Sequence, residues 1–324
     1  MNVLVTGGAG YIGSHMVRTL VDRGHVVTVV DDLSTGHRHA VAKEAHFVEA
    51  DVADAARMRA VLEDRRIEAV LHFAGVIRVD ESVSDPAKYW KGNLVASLGL
   101  LDAVLAAGVR SFVFSSTAAV YGDPVRVPID EDHPTRPVNP YGDSKLALEK
   151  VLAAYGAAHG LKWAALRYFN AAGANAEGGL GEHHDPETHL VPIILDVARG
   201  KREKVALYGT DWPTPDGTCV RDYIHVMDLA EAHLAALEHL AKGGESGAFN
   251  LGTGRGNSVK EVVEVVRAVT GHAIPAVPAP RRAGDPPELV AAVDRAARVL
   301  GWKATRSDLR RIVEDAWAAR RTLG

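Results

Sequence analysis

The sequence predicts an α/β protein in which a doubly wound parallel sheet is joined to a smaller mixed α/β domain. Over the first two-thirds of the 324 residues, short β-branched runs alternate with amphipathic segments at helical spacing. Such alternation is typical of parallel strands connected by helical crossovers. The strands are also apolar on both faces, as expected for a sheet that helices cover on both sides.

Each predicted strand of the main sheet is a short apolar run, and the helical segments between them carry apolar residues on one side. Gly24, Gly108 and Gly160 follow three of these segments, at the position where a helix commonly ends. The predicted strands are Val3–Thr6, Val26–Val30, Ala45–Glu49, Ala69–Phe73, Ser111–Ser115 and Lys162–Arg167. The predicted helices are Ile12–Arg23, Ala53–Arg65, Val95–Ala107 and Ser144–His159.

The regular alternation stops near Ala171. The stretch Ala171–Thr188 is rich in Gly, Ala, Asn and Glu and predicts a long loop, and long loops in compact domains are usually functional or mobile. We divide the chain into domains of residues 1–174 and 175–324, with roughly 220–254 a candidate to cross back to the main sheet. The elements predicted after the loop are the helices Leu190–Arg199, Val226–Leu240 and Val259–Val269 and the strands Val205–Leu207 and Ala248–Leu251.

The bulk composition excludes several classes of protein. Apolar residues make up 47% of the chain and charged residues 24%, close to the average for a soluble globular protein. A formal net charge of −4 provides no basic excess for holding a nucleic acid. No charge-free apolar stretch approaches the roughly 18 residues of a membrane span, and no basic leader precedes the first strand. We therefore expect a cytoplasmic protein that binds neither nucleic acid nor membrane.

The sequence also predicts no metal site. The single cysteine, Cys219, cannot form a cysteine-based site by itself. The histidine pairs His37/His39 and His183/His184 lack an H-E-x-x-H pattern or a comparable ligand set.

A glycine-rich turn after the first strand predicts a dinucleotide site. Gly7, Gly10 and Gly13 follow the spacing G-x-x-G-x-x-G between a strand and a helix, so the backbone can approach a pyrophosphate at the helix N-terminus. Asp31 follows the second strand, where a carboxylate binds ribose hydroxyls and repels a 2′-phosphate, which favours NAD over NADP. Asp32 is an adjacent candidate. Asp51-Val52 follows the third strand and could contact the adenine, or Asp51 could cap the next helix.

Tyr141 and Lys145 form a Y-x-x-x-K pair at the start of a predicted helix. A spacing of four places both side chains on one helical face. An ammonium within a few ångströms favours the phenolate, so the pair forms a general acid/base beside a cofactor. Thr117, just beyond the fifth strand, could hydrogen-bond the reacting oxygen, and Ser115 and Ser116 compete for that role.

Together these features resemble the extended short-chain dehydrogenase/reductase family, with a Rossmann-type fold, and within it the UDP-glucose 4-epimerases. The resemblance covers essentially the whole chain. It is carried by GGAGYIGS at 7–14, FAG at 73–75 with ESV at 81–83, SSTAAVYG at 115–122, PYGDSK at 140–145, RYFN at 167–170, GTCVRDYIHVMD at 217–228, NLGTG at 250–254 and RRAGD at 281–285.

The resemblance implies reversible 4-epimerisation of UDP-galactose and UDP-glucose through a 4-keto sugar. Tyr141 would be the acid/base, Thr117 would bind the 4-oxygen, and Lys145 would hold the nicotinamide ribose of a resident NAD. Further cofactor contacts are implied at Tyr11, Ile12, Phe73, Ala74, Gly75, Asn93, Ser115 and Tyr168. Substrate contacts are implied at Asn170, His189, Leu190, Tyr208, Arg221, Arg282 and Asp285. The family also suggests a homodimer through the helices Val95–Ala107 and Ser144–His159.

Two departures and several alternatives remain at this stage. A lysine that many relatives carry after Phe73-Ala74-Gly75 is replaced by Ile77, with Arg78 beside it, and Leu289 lies where residue size is linked to acceptance of N-acetylated sugars. Other substrates would be UDP-glucuronate, UDP-pentoses or UDP-N-acetylhexosamines. Ala118-Ala119 argue against dehydration, which would require an acidic pair there. A non-catalytic NAD(H)-sensing protein is disfavoured because Thr117, Tyr141 and Lys145 are all present.

Overall fold

The computed structural model describes residues 1–175, 177–282 and 284–322. The strands are β1 (Asn2–Thr6), β2 (Val26–Asp31), β3 (His46–Glu49), β4 (Ala69–His72), β5 (Ser111–Thr117), β6 (Lys162–Tyr168), β7 (Asn170–Ala172), β8 (Val205–Tyr208), β9 (Val220–Arg221), β10 (Tyr223–His225), β11 (Gly247–Leu251), β12 (Asn257–Ser258), β13 (Ala276–Ala279) and β14 (Glu288–Leu289). The helices are α1 (Tyr11–Asp22), α2 (Ala55–Asp64), α3 (Val79–Ser84), α4 (Pro86–Tyr89), α5 (Ala96–Ala106), α6 (Pro140–His159), α7 (Leu190–Ala198), α8 (Val226–Ala241), α9 (Val259–Thr270) and α10 (Leu309–Thr322).

The main sheet confirms the predicted doubly wound parallel architecture. Its seven strands lie in the order β11-β6-β5-β4-β1-β2-β3, and every pair is parallel. The order reverses at β1, which pairs with β2 on one side and with β4 on the other. Ligands of such sheets bind at the carboxyl ends of the strands next to this reversal.

Two apolar layers cover the sheet because alternate strand residues point to opposite faces. Val3 and Val5 of β1 pack with residues of α1 and α8 on one face, such as Met16 and Leu229. Leu4 packs on the other face with residues of α2, α5 and α6. Burial on both faces explains why these strands show nearly continuous apolar runs.

At two places helical structure begins several residues before the start that the sequence pattern predicts. α6 starts at Pro140 and not at Ser144, because Asn139 caps it by accepting a hydrogen bond from Gly142 N (2.8 Å) and proline favours the first helical position. Tyr141 therefore lies in the first turn of α6. The predicted helix from Val95 is preceded by a π-helical segment, Trp90–Val95, that continues into α5.

The second part of the chain forms small sheets around its own apolar core. β7 pairs with β10, β8 with β13, and β9 lies between β12 and β14. α7, α9 and α10 enclose residues such as Ile194, Val262 and Ile312. β11, by contrast, joins the main sheet beside β6, so the chain returns to that sheet after residue 175. The domain limits at 174 and 175 remain a prediction.

The predicted loop Ala171–Thr188 is only partly irregular. Its first two residues complete β7, and Asn175 pairs with Leu180 in an isolated bridge. No helix within residues 1–175, 177–282 and 284–322 combines the length and apolarity that crossing a membrane requires.

Candidate active site

The glycine turn after β1 is too crowded for larger residues. Gly7 has a φ of +70°, and a Cβ added there would lie 2.5 Å from Ala74 N. A Cβ on Gly13 would lie 2.1 Å from Gly7 O. Gly10 is the N-cap residue of α1, and no side chain caps this helix end. The first backbone amides of α1 are therefore free of a capping side chain. Together with the glycine turn they fit the pyrophosphate of a dinucleotide. Tyr11 and Ile12 form the first turn of α1.

Asp31 is the better placed of the two acidic candidates for the ribose. It is buried, and its two oxygens accept hydrogen bonds from Ala9 N and Leu33 N, both at 2.9 Å. Burial raises the pKa of this carboxyl, and the two backbone hydrogen bonds oppose the rise. A carboxylate has about four acceptor positions, so capacity remains for ribose hydroxyls. Asp32 is exposed, and its Oδ1 accepts hydrogen bonds from Ser34 N (2.9 Å) and Ser34 Oγ (2.6 Å).

Asp51 does not cap the following helix. α2 begins at Ala55, and its cap is Asp54, which accepts a hydrogen bond from Arg57 N. Asp51 is exposed and accepts a hydrogen bond from Ala53 N at 2.8 Å. Val52 belongs to the core beneath the sheet. The capping alternative for Asp51 is therefore wrong, and the adenine contact stays a prediction.

Asn93 joins the segment after β4 to α6. Its Oδ1 accepts a hydrogen bond from Val76 N (2.8 Å), and its Nδ2 donates to Val76 O (3.1 Å) and to Ser144 Oγ (3.0 Å). Gly75 passes so close that an added Cβ would lie 2.7 Å from Asn93 Oδ1 and 3.6 Å from Lys145 Nζ. Buried Asn93 thus fixes the segment that starts with Phe73 and Ala74 against α6.

Lys145 is a buried cation beside the end of β5. Its Nζ donates to Ser115 O at 3.1 Å and lies 4.9 Å from the centre of the Phe114 ring. The same nitrogen lies 6.0 Å from the centre of the Tyr141 ring. Burial lowers the pKa of Lys145 to about 8, because removal from water disfavours the charged form.

The structure distinguishes the three hydroxyls at the end of β5. Ser116 Oγ donates to Glu149 Oε1 at 2.5 Å, and Ser115 Oγ bonds the Tyr168 hydroxyl. Thr117 interacts with Tyr141: burial raises the pKa of Tyr141, and a hydrogen bond with Thr117 opposes that rise. Thr117 Oγ1 also accepts a hydrogen bond from Ala119 N at 3.1 Å. Thr117 is therefore the hydroxyl of this strand end that accompanies the candidate base.

The predicted substrate residues form two contacting pairs. The Arg282 guanidinium lies 4.0 Å from the centre of the Tyr208 ring, whose side chain is exposed at the end of β8. Arg221 Nη2 lies 3.6 Å from Asp285 Oδ1, and the Arg221 side chain is largely buried. An aromatic face and two guanidinium groups match the base and the phosphates of a nucleotide.

The remaining predicted substrate residues lie at element ends. Asn170 begins β7, and its backbone N–H donates to Asp222 O at 2.9 Å. His189 and Leu190 mark the start of α7, which no side chain caps, so its first amides suit an anion. Tyr11 OH donates to Gly173 O at 2.7 Å, which ties the glycine turn to the segment after β7.

The sequence pattern missed a cluster of metal-type ligands next to this segment. Glu182, His184, Glu187 and His189 place one ligand atom each within 4.8 Å of one another. The signal was the spacing E-x-H-x-x-E-x-H, which differs from H-E-x-x-H.

Arg78, the residue beside Ile77, forms an ion pair with Asp80 at 2.8 Å.

Comparisons with known proteins cover the whole chain. The model of the NAD dependent epimerase/dehydratase family matches residues 3–252. The chain is 53% identical to a UDP-glucose 4-epimerase of Corynebacterium glutamicum, over 100% of this chain and 97% of that protein. A solved UDP-glucose 4-epimerase of Brucella ovis in complex with NAD aligns with a TM-score of 0.95 and 49% identity, over 98% of this chain and 97% of that one. The enzyme of Bifidobacterium longum in complex with NAD+ and UDP aligns at 0.93 and 38%, over 99% and 98%.

Proposed function

The chain belongs to the NAD-dependent epimerase/dehydratase family, and we propose that it interconverts UDP-galactose and UDP-glucose by inverting the sugar at C4. The observation that carries the proposal is the grouping of Thr117, Tyr141 and Lys145 at the end of β5. Relatives named UDP-glucose 4-epimerase over essentially the full chain length support the same reaction.

Tyr141 is the proton-transfer group of the proposed reaction. As the C4–H bond breaks, Tyr141 takes the proton of the 4-hydroxyl, which leaves a neutral 4-keto sugar. When that bond re-forms on the opposite face, Tyr141 returns the proton to O4. The sugar turns about its bond to the diphosphate between the two steps, so one base serves both faces. NAD, when bound, accepts the hydride from C4 and gives it back.

Thr117 and Lys145 make the tyrosine a usable base. Burial by itself raises the pKa of Tyr141, which disfavours the phenolate. The hydrogen bond with Thr117 and the positive charge of Lys145, 6.0 Å from the ring centre, both favour it. Lys145 Nζ also lies beside Gly75, one of the residues that we assign to the cofactor. We assign it a second role in holding the nicotinamide ribose.

The cofactor contacts follow the main sheet. We assign the pyrophosphate to Gly7, Gly10 and Gly13 and the adenosine ribose to Asp31, because of the open amides and the spare acceptor positions described above. Residues 1–174 accordingly form the NAD domain and residues 175–324 the UDP-sugar domain, with β11 returned to the main sheet.

The uridine diphosphate would bind along the second part of the chain. Tyr208 offers an exposed ring for uracil. We assign Arg282, whose guanidinium lies 4.0 Å from the centre of that ring, to phosphate together with Arg221. Arg221 is a phosphate ligand and Asp285, 3.6 Å away, the ribose ligand. The uncapped start of α7 adds amides for the diphosphate.

The test is incubation of the purified protein with UDP-galactose, without added cofactor, and proton NMR of the sugars. We expect UDP-glucose to appear, because the cofactor travels with the protein. Tyr141→Phe should lower turnover by about 10²–10⁴-fold, the usual contribution of a general acid/base. Tyr155→Phe removes a hydroxyl from the same helix, where it donates to Asp102, and should leave turnover near wild type. Absence of UDP-glucose even after adding NAD would overturn the assignment.

We also propose that the protein acts in the cytoplasm as a homodimer formed through α5 and α6. The two helices lie side by side, joined by the Tyr155–Asp102 hydrogen bond of 3.1 Å. Val95, at the start of this surface, is 59% exposed. Light scattering coupled to size exclusion should give twice the chain mass of 34.6 kDa, and Val95→Glu should shift the protein to monomer.

A further inference from the structure

The cluster of Glu182, His184, Glu187 and His189 lies on the segment between β7 and α7. His184 Nδ1 is 3.4 Å from Glu182 Oε1 and 3.6 Å from Glu187 Oε1. His189 Nδ1 is 2.5 Å from Glu182 Oε1 and 3.8 Å from Glu187 Oε1. Two imidazole nitrogens and two carboxylate oxygens therefore converge on one small volume.

Among the residues that the structure describes, two of these four ligand atoms are buried without a hydrogen-bond partner, whereas Glu187 Oε1 accepts hydrogen bonds from Thr188 N (2.9 Å) and His189 N (3.1 Å). The Glu182 side chain is only 6% exposed, and its Oε1 has no hydrogen-bond partner within the described part of the chain. The same holds for His184 Nδ1. Buried polar atoms are normally satisfied by a partner, and leaving one unsatisfied destabilises the fold. A cation held between the four ligand atoms would satisfy both of the buried atoms that lack a partner.

Glu187 is oriented from outside the cluster. Its Oε2 accepts a hydrogen bond from Arg320 Nη2 at 3.0 Å, and Arg320 Nη1 donates to Asp196 at 2.6 Å. This arrangement leaves Oε1 of Glu187 turned toward the two histidines. Outer partners of this kind typically fix the carboxylates that ligate metals.

We propose that Glu182, His184, Glu187 and His189 bind one divalent transition metal ion, for which Zn²⁺ is the best match. Two imidazoles and two carboxylates suit zinc in both ligand type and number. Two carboxylates also neutralise the charge of the ion, with both histidines neutral. Because all four ligands come from the protein, the site is structural and has no open position for catalysis.

The metal fixes the segment between β7 and α7 against the rest of the site. The His184 ring lies 6.3 Å from the Tyr11 ring, edge to face, so the ion sits next to the start of α1 and the glycine turn. Through Glu187 and Arg320 it also connects to α10. His189 uses Nδ1 for the metal, which leaves Nε2 on the other side of the ring for a ligand of the α7 start.

The experiment measures zinc directly and does not depend on the proposed reaction. The purified protein is stripped with a chelator, checked by circular dichroism, and titrated with Zn²⁺ by calorimetry, with metal content read by mass spectrometry. We expect one zinc per chain. Glu182→Gln and His184→Ala should weaken binding by more than the about 10–100-fold that loss of an outer partner costs.

His183→Ala is the matched control, because this neighbouring histidine is exposed and is not one of the four ligands. It should bind zinc as the wild type does. Failure of the stripped, folded wild type to take up zinc stoichiometrically would overturn the proposal and identify the cluster as an ion-pair network alone. Equal binding by wild type and His184→Ala, or equal loss in His183→Ala, would also overturn it.

Discussion

Replacing Lys145 with methionine should isolate the electrostatic support that Tyr141 receives. Methionine keeps the apolar stem and removes a charge that lies 6.0 Å from the tyrosine ring centre. At that distance and an effective dielectric constant of about 20, one unit charge stabilises the phenolate by about 3 kcal/mol. This energy corresponds to about two pKa units, so the phenolate fraction at neutral pH falls about 100-fold. Turnover of UDP-galactose should fall by a similar factor.

The pH dependence gives this prediction its sign. Burial lowers the pKa of Lys145 to about 8, so the cation is present below pH 8 and is lost as pH rises through that value. Its help to Tyr141 is therefore largest on the acid side. In Lys145→Met this support is absent at every pH, and turnover should keep rising with pH beyond the point where the wild type levels off.

The assay follows product formation by proton NMR from pH 6 to 10, with bound NAD released by acid and quantified for each variant. Cofactor content separates loss of charge from loss of a ribose contact. Lys150→Met makes the same chemical change at an exposed position of α6 and should match the wild type. A Lys145→Met enzyme with full NAD content and turnover within threefold of wild type would refute the electrostatic reasoning.

Three further predictions concern the cofactor site and the framework around it. Asp31→Asn should weaken NAD binding to the stripped protein by about 1.5–3 kcal/mol, measured by calorimetry, because charge-assisted hydrogen bonds to the ribose are lost; unchanged affinity would place the ribose elsewhere. Gly13→Ala should lower the urea midpoint of unfolding, since the added Cβ would lie 2.1 Å from Gly7 O. Gly99→Ala in α5 is the matched control: its added Cβ would lie 3.7 Å from Ala55 Cβ, and it should raise the free energy of unfolding by about 0.5–1 kcal/mol. Glu149→Ala leaves the buried Arg167 cation without its ion-pair partner and should lower the free energy of unfolding by about 3–5 kcal/mol in urea titrations. The double variant Glu149→Leu/Arg167→Met should recover part of this loss. A free energy of unfolding for Glu149→Ala within about 1 kcal/mol of wild type would contradict the prediction.

The parts of the site that could be predicted from sequence are those fixed by local sterics. The glycine turn is one, because Gly7 and Gly13 are required by backbone contacts within or next to the turn. The Tyr141–Lys145 pair is another, because a spacing of four defines a common helix face. The observed start of α6 could also have been predicted, because Asn139 as the N-cap followed by Pro140 is a recognised sequence pattern for the start of a helix.

The parts that could not be predicted depend on partners distant in sequence. β9, β12 and β14 are two residues long and exist only because residues 220–221, 257–258 and 288–289 pair with one another. Strand alternation separates Ser116 from Ser115 and Thr117, but the choice between the last two needs the register of β6, where Tyr168 lies opposite Thr117 and bonds Ser115. Such pairings leave no periodic signal in the chain.

The segment between β5 and α6 is fixed by hydrogen bonds to two distant parts of the chain. Ile129 N donates to Val290 O, and Ala292 N donates to Ile129 O, both at 2.8 Å, so this segment pairs with the chain that follows β14. Asn250 fixes it from the main sheet: its Nδ2 donates to Ile129 O at 2.8 Å, and its Oδ1 accepts a hydrogen bond from Tyr121 OH at 2.6 Å. Asn250 opens the matching segment NLGTG, yet none of its hydrogen bonds involves a proposed ligand residue. Asn250 thus holds the approach to Tyr141 and the chain beside Arg221 and Asp285 in one framework. We expect this framework to keep the proposed base and the proposed diphosphate site at a constant separation during the reaction.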